Sequence, residues 1–246
     1  MVVLLKKQHI YNLVMACCCL AGLLSVILTG IKLTKVQSTF SAFAHDREIT
    51  WIIDAGHGGE DGGAVAANGT TESSLNLQIA NSIHDVLRFS GEKTALTRSG
   101  EEDVHTEGET IRARKASDIR NRVALVNGVP NAVLLSIHQN SLPSSPVTHG
   151  AQVFWNREEG ADSLAKVIQN SLNQAINRDN EKISKRIPET IYLMKHVTVP
   201  AVLVECGFLS NAEETELLQT PSYQKKLAAA ISAGCLQALA GEEISE

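Results

Sequence analysis

Apolar and polar positions follow two different periods in turn along residues 49–240, which predicts alternating strands and helices. Short apolar runs closed by a polar or turn-forming residue are typical of buried strands. Longer segments with an apolar residue at every third or fourth position are typical of amphipathic helices. The predicted strands are 49–54, 93–98, 132–137, 150–155, 190–194 and 201–205, and the predicted helices are 70–89, 111–127, 161–177, 211–219 and 222–240.

Strands that alternate with helices over about 200 residues predict an α/β protein, in the form of a three-layer α/β/α sandwich. Functional side chains in open sheets of this kind collect at the carboxyl ends of the strands. His57 and His138 follow two predicted strands, and Glu205 closes a third. Glu72, at the start of the first predicted helix, is placed to project into the same crevice. We therefore expect these four side chains to meet.

Two histidines, one carboxylate and an open position form a ligand set for catalytic zinc. The other carboxylate is then free to act as general base on a water whose pKa zinc lowers to about 7. Each of the four residues also has a structural interpretation, as a loop histidine, a helix-start carboxylate or a solvent-facing strand end. Four further residues stay open as alternative ligands, namely Glu60, Asp61, His149 and His196.

Composition and charge narrow the function further. The 246 residues, 43% hydrophobic and 20% charged, fit one globular domain with an appendage, or two small domains. After residue 44 the chain has 18 basic and 27 acidic residues, so nucleic acid is not an expected partner. Cys206 and Cys235 lack a zinc-thiolate spacing and are interpreted as buried apolar side chains, with a disulfide left open.

The predicted helix 111–127 is strongly cationic, and its charges have two interpretations. A cationic helix usually presents a solvated face, and Asp118, four residues before Arg122, forms a supporting pair. Alternatively, one or two of the arginines reach an anionic substrate.

The N-terminal segment is predicted to be a hydrophobic helix. Residues 13–31 carry no charge and are just long enough to cross a bilayer, and lysines flank both ends. We expect residues 1–32 to be an uncleaved signal-anchor, with a cleaved signal peptide as the alternative, and residues 33–47 to be a linker. Both interpretations place the catalytic domain, residues 48–241, outside the cytoplasm, either membrane-anchored or secreted.

Six segments carry a family resemblance. They are residues 53–64, Glu72 with Asn76 and Leu77, residues 96–98, Arg122 with Asn127, residues 136–140, and residues 205–211. In this order they resemble the zinc-dependent N-acetylmuramoyl-L-alanine amidases of the amidase-3 family. The resemblance implies a mostly parallel sheet of about six strands, one Zn²⁺ bound by His57, Glu72 and His138, and Glu205 as the catalytic acid/base.

Residues 111–118 and Cys206 resemble more narrowly the germination-specific, spore-cortex branch of that family. Gln139 departs from the small residue often found in other members. The branch implies cleavage of the amide between the lactyl group of N-acetylmuramic acid and L-alanine. This is the first step toward muramic-δ-lactam, and a separate deacetylase acts afterwards on the same substrate. Expected partners are peptidoglycan strands and stem peptides, and the membrane through the N-terminal helix, while the need for a protein activator is left open.

Two other functions stay open. A zinc carboxypeptidase acting on stem peptides would use the same metal. A wall-binding protein without activity would usually have lost the base or a ligand, whereas His57, Glu72, His138 and Glu205 are all present.

Overall fold

The computed structural model describes residue 44 and residues 48–241. The elements run in the order β1 (Thr50–Ala55), α1 (Glu72–Phe89), β2 (Lys93–Leu96), α2 (Ile111–Asn127), β3 (Ala132–Asn140), β4 (Gln152–Trp155), α3 (Ala161–Ala175), β5 (Lys185–Arg186), α4 (Tyr192–His196), β6 (Ala201–Phe208), α5 (Ala212–Leu218) and α6 (Pro221–Ala240). The predicted N-terminal helix, and the predicted linker apart from residue 44, lie outside the described residues. No helix of the described residues is long and apolar enough to span a membrane.

The six strands form one sheet in the order β2–β1–β3–β6–β4–β5. The first four strands in this order are mutually parallel, so their carboxyl ends share one edge. β4 pairs antiparallel with β6, and β5 runs parallel to β4. The prediction of a mostly parallel sheet is therefore confirmed.

Each face of the sheet carries its own hydrophobic core, which is what strand alternation requires of a sheet covered on both sides. In β1, Trp51 and Ile53 belong to the larger core with α1, α3 and α6. Ile52 points the other way, into the smaller core with α2 and α4. All three side chains are fully buried, and each such burial stabilises the fold by about 1.5–3 kcal/mol. The predicted three-layer sandwich is thus confirmed.

The predicted strand at residues 190–194 is wrong, because this stretch leads into the short helix α4. Leu193, Met194 and Val197 are buried in the smaller core, and their spacing is that of one helix face. The sixth strand is β5 instead, whose two exposed residues pair with Phe154 and Trp155 of β4. Two exposed basic residues carry no apolar pattern, so the sequence does not predict this edge strand.

Three details also differ from expectation or extend it. β3 and β6 continue past their predicted ends, so that His138 lies within its strand rather than after it and Glu205 lies inside its strand rather than at the end. Glu72 begins α1 as predicted, but the Thr71 side chain makes no capping hydrogen bond. Cys206 and Cys235 are both buried and free, so the interpretation as small buried side chains is confirmed.

Candidate metal and catalytic site

The register of the central strands brings His138 and Glu205 together. β3 and β6 pair with His138 opposite Glu205, and neighbouring strands lie about 4.8 Å apart. Strand alternation puts both side chains on the face that also carries Leu134 and Leu203 of the smaller core. Both functional groups therefore point toward the layer formed by α2 and α4.

His57 reaches the same edge from a tight turn after β1. Its φ of 65° is left-handed, which is uncommon for a residue with a side chain. The turn is held from two sides, because Arg122 Nη2 donates to the His57 carbonyl at 2.6 Å and Asp61 Oδ2 lies 2.9 Å from His57 Nδ1. The unusual backbone conformation is thus fixed by contacts from other parts of the chain.

Arg122 is the centre of a buried charge network that contacts the His57 turn. It is 1% exposed, donates to Asp54 at 2.7 Å, and donates to Asp118 at 2.9 Å, which confirms the predicted helix pair. Burial alone would raise the pKa of Asp54, but the charge of Arg122 and a hydrogen bond from Ser136 hold that pKa at about 2. The predicted pair with Asp118 is thus present, but Arg122 is buried rather than solvated, and it holds the carbonyl of the His57 turn.

Glu72 lies at the centre of the cluster. Its side chain is buried, with Oε2 accepting from Ala64 N–H at 2.8 Å and Oε1 accepting from Gln139 N–H at 3.1 Å. Oε1 lies 3.2 Å from His57 Nε2 and 2.9 Å from His138 Nδ1. One potential ligand atom from each of the three residues falls within 4.8 Å of the others.

These residues fit a zinc ion. A tetrahedral zinc with bonds of about 2.0–2.2 Å has neighbouring ligand atoms roughly 3.3 Å apart. The two distances from Glu72 Oε1, 3.2 Å and 2.9 Å, are close to this spacing. The donor set of two imidazoles and one carboxylate is also one that zinc prefers in catalytic sites.

The charges around the cluster suit a cation. Burial alone would lower the pKa of His57, but hydrogen bonds to Asp61 and Glu72, and their charges, raise it to about 9. Burial would raise the pKa of Glu72, yet its hydrogen bonds and charge interactions with His138 and His57 hold that pKa well below its usual range. The raised pKa of His57 reflects the negative charge of Asp61 and Glu72, and the lowered pKa of Glu72 keeps its carboxylate in the ionised form that binds a divalent cation.

Glu205 stands beside this cluster but outside it. Its Oε2 is buried and, among the described residues, has no hydrogen-bond partner. Burial raises the pKa of Glu205 to about 7, although the positive charge of His138 opposes the rise. A carboxyl group with a pKa near neutrality is well suited both to accept and to return a proton.

A cavity of about 520 Å³ opens over the four residues. Lys115 and Ile119 of α2 line one part of it, and Ile191 and Tyr192 at the start of α4 line another. Tyr192 is 42% exposed, and its ring stacks on His196 with 3.9 Å between ring centroids. The helix that the sequence did not predict is therefore part of the cleft wall.

The alternative ligands lie elsewhere. Glu60 accepts from Arg114 Nε at 2.8 Å, His149 Nδ1 contacts a backbone carbonyl, and His196 stacks on a tyrosine. Asp61 contacts His57 through Nδ1 rather than joining the ligand cluster. The structure thus brings together the four residues predicted from the strand ends and the helix start.

Three candidate ligand residues lie at the base of an open cleft, beside a carboxylate whose Oε2 has no hydrogen-bond partner among the described residues. This arrangement defines the site of a metal-dependent hydrolase. The sequence model of a family described as N-acetylmuramoyl-L-alanine amidase matches residues 52–237. The chain belongs to this family, so it is a peptidoglycan-cleaving amidase, and the predicted resemblance is confirmed.

Individual relatives place it within the family. The germination-specific N-acetylmuramoyl-L-alanine amidase of Bacillus subtilis is 38% identical over 186 residues, which cover 75% of this chain and 77% of that protein. AmiA of Escherichia coli is 25% identical over 269 residues and 88% of each protein. The CwlD amidase from Clostridioides difficile, solved in complex with the GerS lipoprotein, is 34% identical with a TM-score of 0.74, covering 78% of this chain and 99% of that one. The chain is therefore similar to germination-specific amidases.

Proposed function

We propose that this chain hydrolyses the amide between the lactyl group of N-acetylmuramic acid and L-alanine with one zinc ion held by His57, Glu72 and His138. Glu205 acts as the catalytic acid/base. The observation that supports these roles is the pairing of β3 with β6, which sets Glu205 beside the ligand cluster with a buried Oε2 that has no hydrogen-bond partner among the described residues.

When bound, zinc supplies an electrophile that polarises the scissile carbonyl and lowers the pKa of the attacking water. Glu205 accepts the proton of that water at Oε2 and then delivers it to the departing nitrogen of L-alanine. Because Oε2 has no partner among the described residues, no hydrogen bond within them has to break before the proton arrives. His57, with Nδ1 directed to Asp61, keeps Nε2 turned toward Glu72 and the metal position.

Two variants test the assigned roles. Glu205→Gln keeps the side-chain volume and should retain zinc, while amide hydrolysis falls by a factor of about 10²–10⁴, the usual contribution of acid–base catalysis. Zinc content by emission spectrometry and turnover of purified peptidoglycan measure the two effects. Glu60→Gln, an exposed pair partner of Arg114, is the control and should match wild type. Retained turnover by Glu205→Gln would remove Glu205 from the mechanism.

His57→Ala tests the ligand set separately. Removal of one of three protein ligands should abolish stoichiometric zinc binding, because the remaining pair leaves two positions open. A His57→Ala variant with unchanged zinc content would show that the ligands are different.

We further propose a role in the spore cortex, as the first step toward muramic-δ-lactam, with a separate deacetylase acting on the same substrate. The likeness to the germination-specific amidase of Bacillus subtilis supports this role. The test is complementation of a spore-former that lacks its own germination-specific amidase. The expected result is that muramic-δ-lactam returns to the cortex. Cleavage of peptidoglycan without formation of the lactam would indicate that the chain acts on peptidoglycan outside the spore cortex.

Domain organisation and partners are proposed together. Residues 48–241 form the catalytic domain, and residues 1–32 and 33–47 act as signal-anchor and linker that place it outside the cytoplasm, where peptidoglycan lies. Fractionation of cells that express the full chain, followed by protease treatment of intact protoplasts, tests this placement. A protease-protected, cytosolic chain would contradict it.

A protein partner is also proposed, because the CwlD amidase from Clostridioides difficile was solved with the GerS lipoprotein.

A further inference from the structure

Asp61 connects a candidate metal ligand to the cationic helix α2. One carboxylate oxygen, Oδ2, lies 2.9 Å from His57 Nδ1. The other, Oδ1, accepts from Lys115 Nζ at 2.6 Å and from the Gly63 N–H at 3.3 Å. The Asp61 backbone is held as well, because it exchanges two hydrogen bonds of 2.9 Å with Gly58. Both carboxylate oxygens of Asp61 therefore have a defined partner, and the backbone that carries them is held in place.

We propose that Asp61 and Lys115 form a positioning dyad that orients His57 and sets the zinc affinity of the site. This inference rests on the proposed function. An imidazole that binds a metal through one nitrogen usually donates the N–H of the other to a carboxylate, which fixes its tautomer and raises its basicity. With Nδ1–H donated to Asp61, the lone pair of His57 is on Nε2, which lies 3.2 Å from Glu72 Oε1.

His57 needs such support more than a histidine within a strand does. His138 is held by the paired backbone of β3, whereas His57 lies on a left-handed turn residue outside the sheet. Arg122 fixes its backbone carbonyl, and Asp61 fixes the far side of its ring. Lys115 in turn keeps Asp61 from rotating away, so helix α2 carries the constraint to the metal position.

The neighbouring ion pair provides a matched control. Glu60 and Arg114 lie one residue before Asp61 and Lys115 in the same loop and helix, and Arg114 Nε donates to Glu60 Oε2 at 2.8 Å. Glu60 contributes no atom to the ligand cluster. Loss of this pair changes the connection between loop and helix but leaves His57 Nδ1 untouched.

The test is a zinc competition titration against a chromophoric chelator, with the full chain and its variants. Asp61→Asn should bind zinc about 10–100-fold more weakly, because asparagine has one acceptor oxygen and cannot serve both His57 and Lys115. Lys115→Met should weaken zinc binding by a smaller factor, about threefold to tenfold, and Lys115→Arg should restore it by keeping the positive charge. Glu60→Gln and Arg114→Met should stay within about twofold of wild type on the same scale.

Substitution of cobalt for zinc gives a second measurement, the visible absorption spectrum of the bound ion, which a purely structural role of Asp61 would not change. The visible absorption bands of bound Co²⁺ should shift in Asp61→Asn and stay unchanged in Glu60→Gln. Wild-type zinc affinity and an unchanged cobalt spectrum in Asp61→Asn would overturn the dyad. An equal loss of affinity in the Glu60 and Arg114 variants would also overturn it, by showing that only the loop–helix connection matters. A wild-type chain that binds no zinc would instead overturn the metal site itself, and the dyad with it.

Discussion

Gly56 has no side chain because the imidazole of His138 occupies the space beside its Cα. A Cβ added to Gly56 would lie 2.3 Å from both Cε1 and Nε2 of His138, whereas ordinary contact begins at 3.4 Å. The Gly56→Ala substitution therefore requires a movement of about 1 Å between the β1 turn and the His138 ring. Nδ1 of the same ring lies 2.9 Å from Glu72, so the movement displaces a proposed ligand atom.

The expected loss is large. Distances in a well-formed zinc site vary by about 0.2 Å, so a shift of about 1 Å removes His138 from effective coordination. A misplacement of this size in a catalytic group costs about 100-fold in rate, and we expect zinc affinity to fall by about 100-fold or more. Gly56→Ala should keep its near-ultraviolet circular dichroism while losing both zinc binding and turnover of purified peptidoglycan.

Gly62→Ala is the control for Gly56→Ala. It lies in the same loop, and its added Cβ would meet Thr71 Cγ2 at 3.4 Å, an ordinary contact. This variant should bind zinc and cleave peptidoglycan like wild type. Zinc affinity and turnover of Gly56→Ala within about threefold of wild type would refute the reasoning, because the His138 position would then tolerate the shift.

Three further outcomes follow from the buried charges. The fall of the Asp54 pKa from 3.8 to about 2 on folding corresponds to about 2 kcal/mol of stability, which is present above pH 4 and lost as the pH falls through 2. The difference in urea unfolding free energy between wild type and Asp54→Asn should therefore shrink between pH 4 and pH 2, and a constant difference would contradict this. Arg122→Met leaves Asp54 buried without its cation, so urea unfolding should show a loss of about 3–5 kcal/mol, and a wild-type midpoint would be the contrary result. Folding raises the pKa of Glu205 from 4.5 to about 7, so ionisation costs stability as the pH rises between these values. Without metal, the Glu205→Gln variant should therefore have a higher melting temperature than wild type at pH 8 and the same melting temperature at pH 4. An equal difference in melting temperature at both pH values would show that Glu205 does not ionise with this raised pKa.

The parallel centre of the sheet and the meeting of the four proposed site residues were predictable for one physical reason. The buried central strands are apolar runs that end at a polar residue, and parallel strands bring those ends to one edge. Strand assignment places His138 and Glu205 at this edge, and the strand order of the fold, in which β3 pairs with β6, makes them direct neighbours.

Other parts depend on contacts that sequence patterns do not show. The segment that forms α4 is too short to distinguish a strand period from a helix period, and β5 consists of two exposed basic residues. Arg122 lies 65 positions from the His57 carbonyl that it holds, so its helix pattern alone could not separate it from its solvated neighbours. Asp61 is four residues after His57, but only the fold shows that its carboxylate turns back to the ring.

Mass spectrometry of purified peptidoglycan digested with the zinc-loaded chain is the most direct test of the proposed activity. We expect stem peptides with new free L-alanine amino termini and glycan strands stripped of peptide, with both products reduced by at least about 100-fold in Glu205→Gln. Released D-alanine from stem peptides that remain attached to the glycan would identify a carboxypeptidase instead and contradict the proposed cleavage.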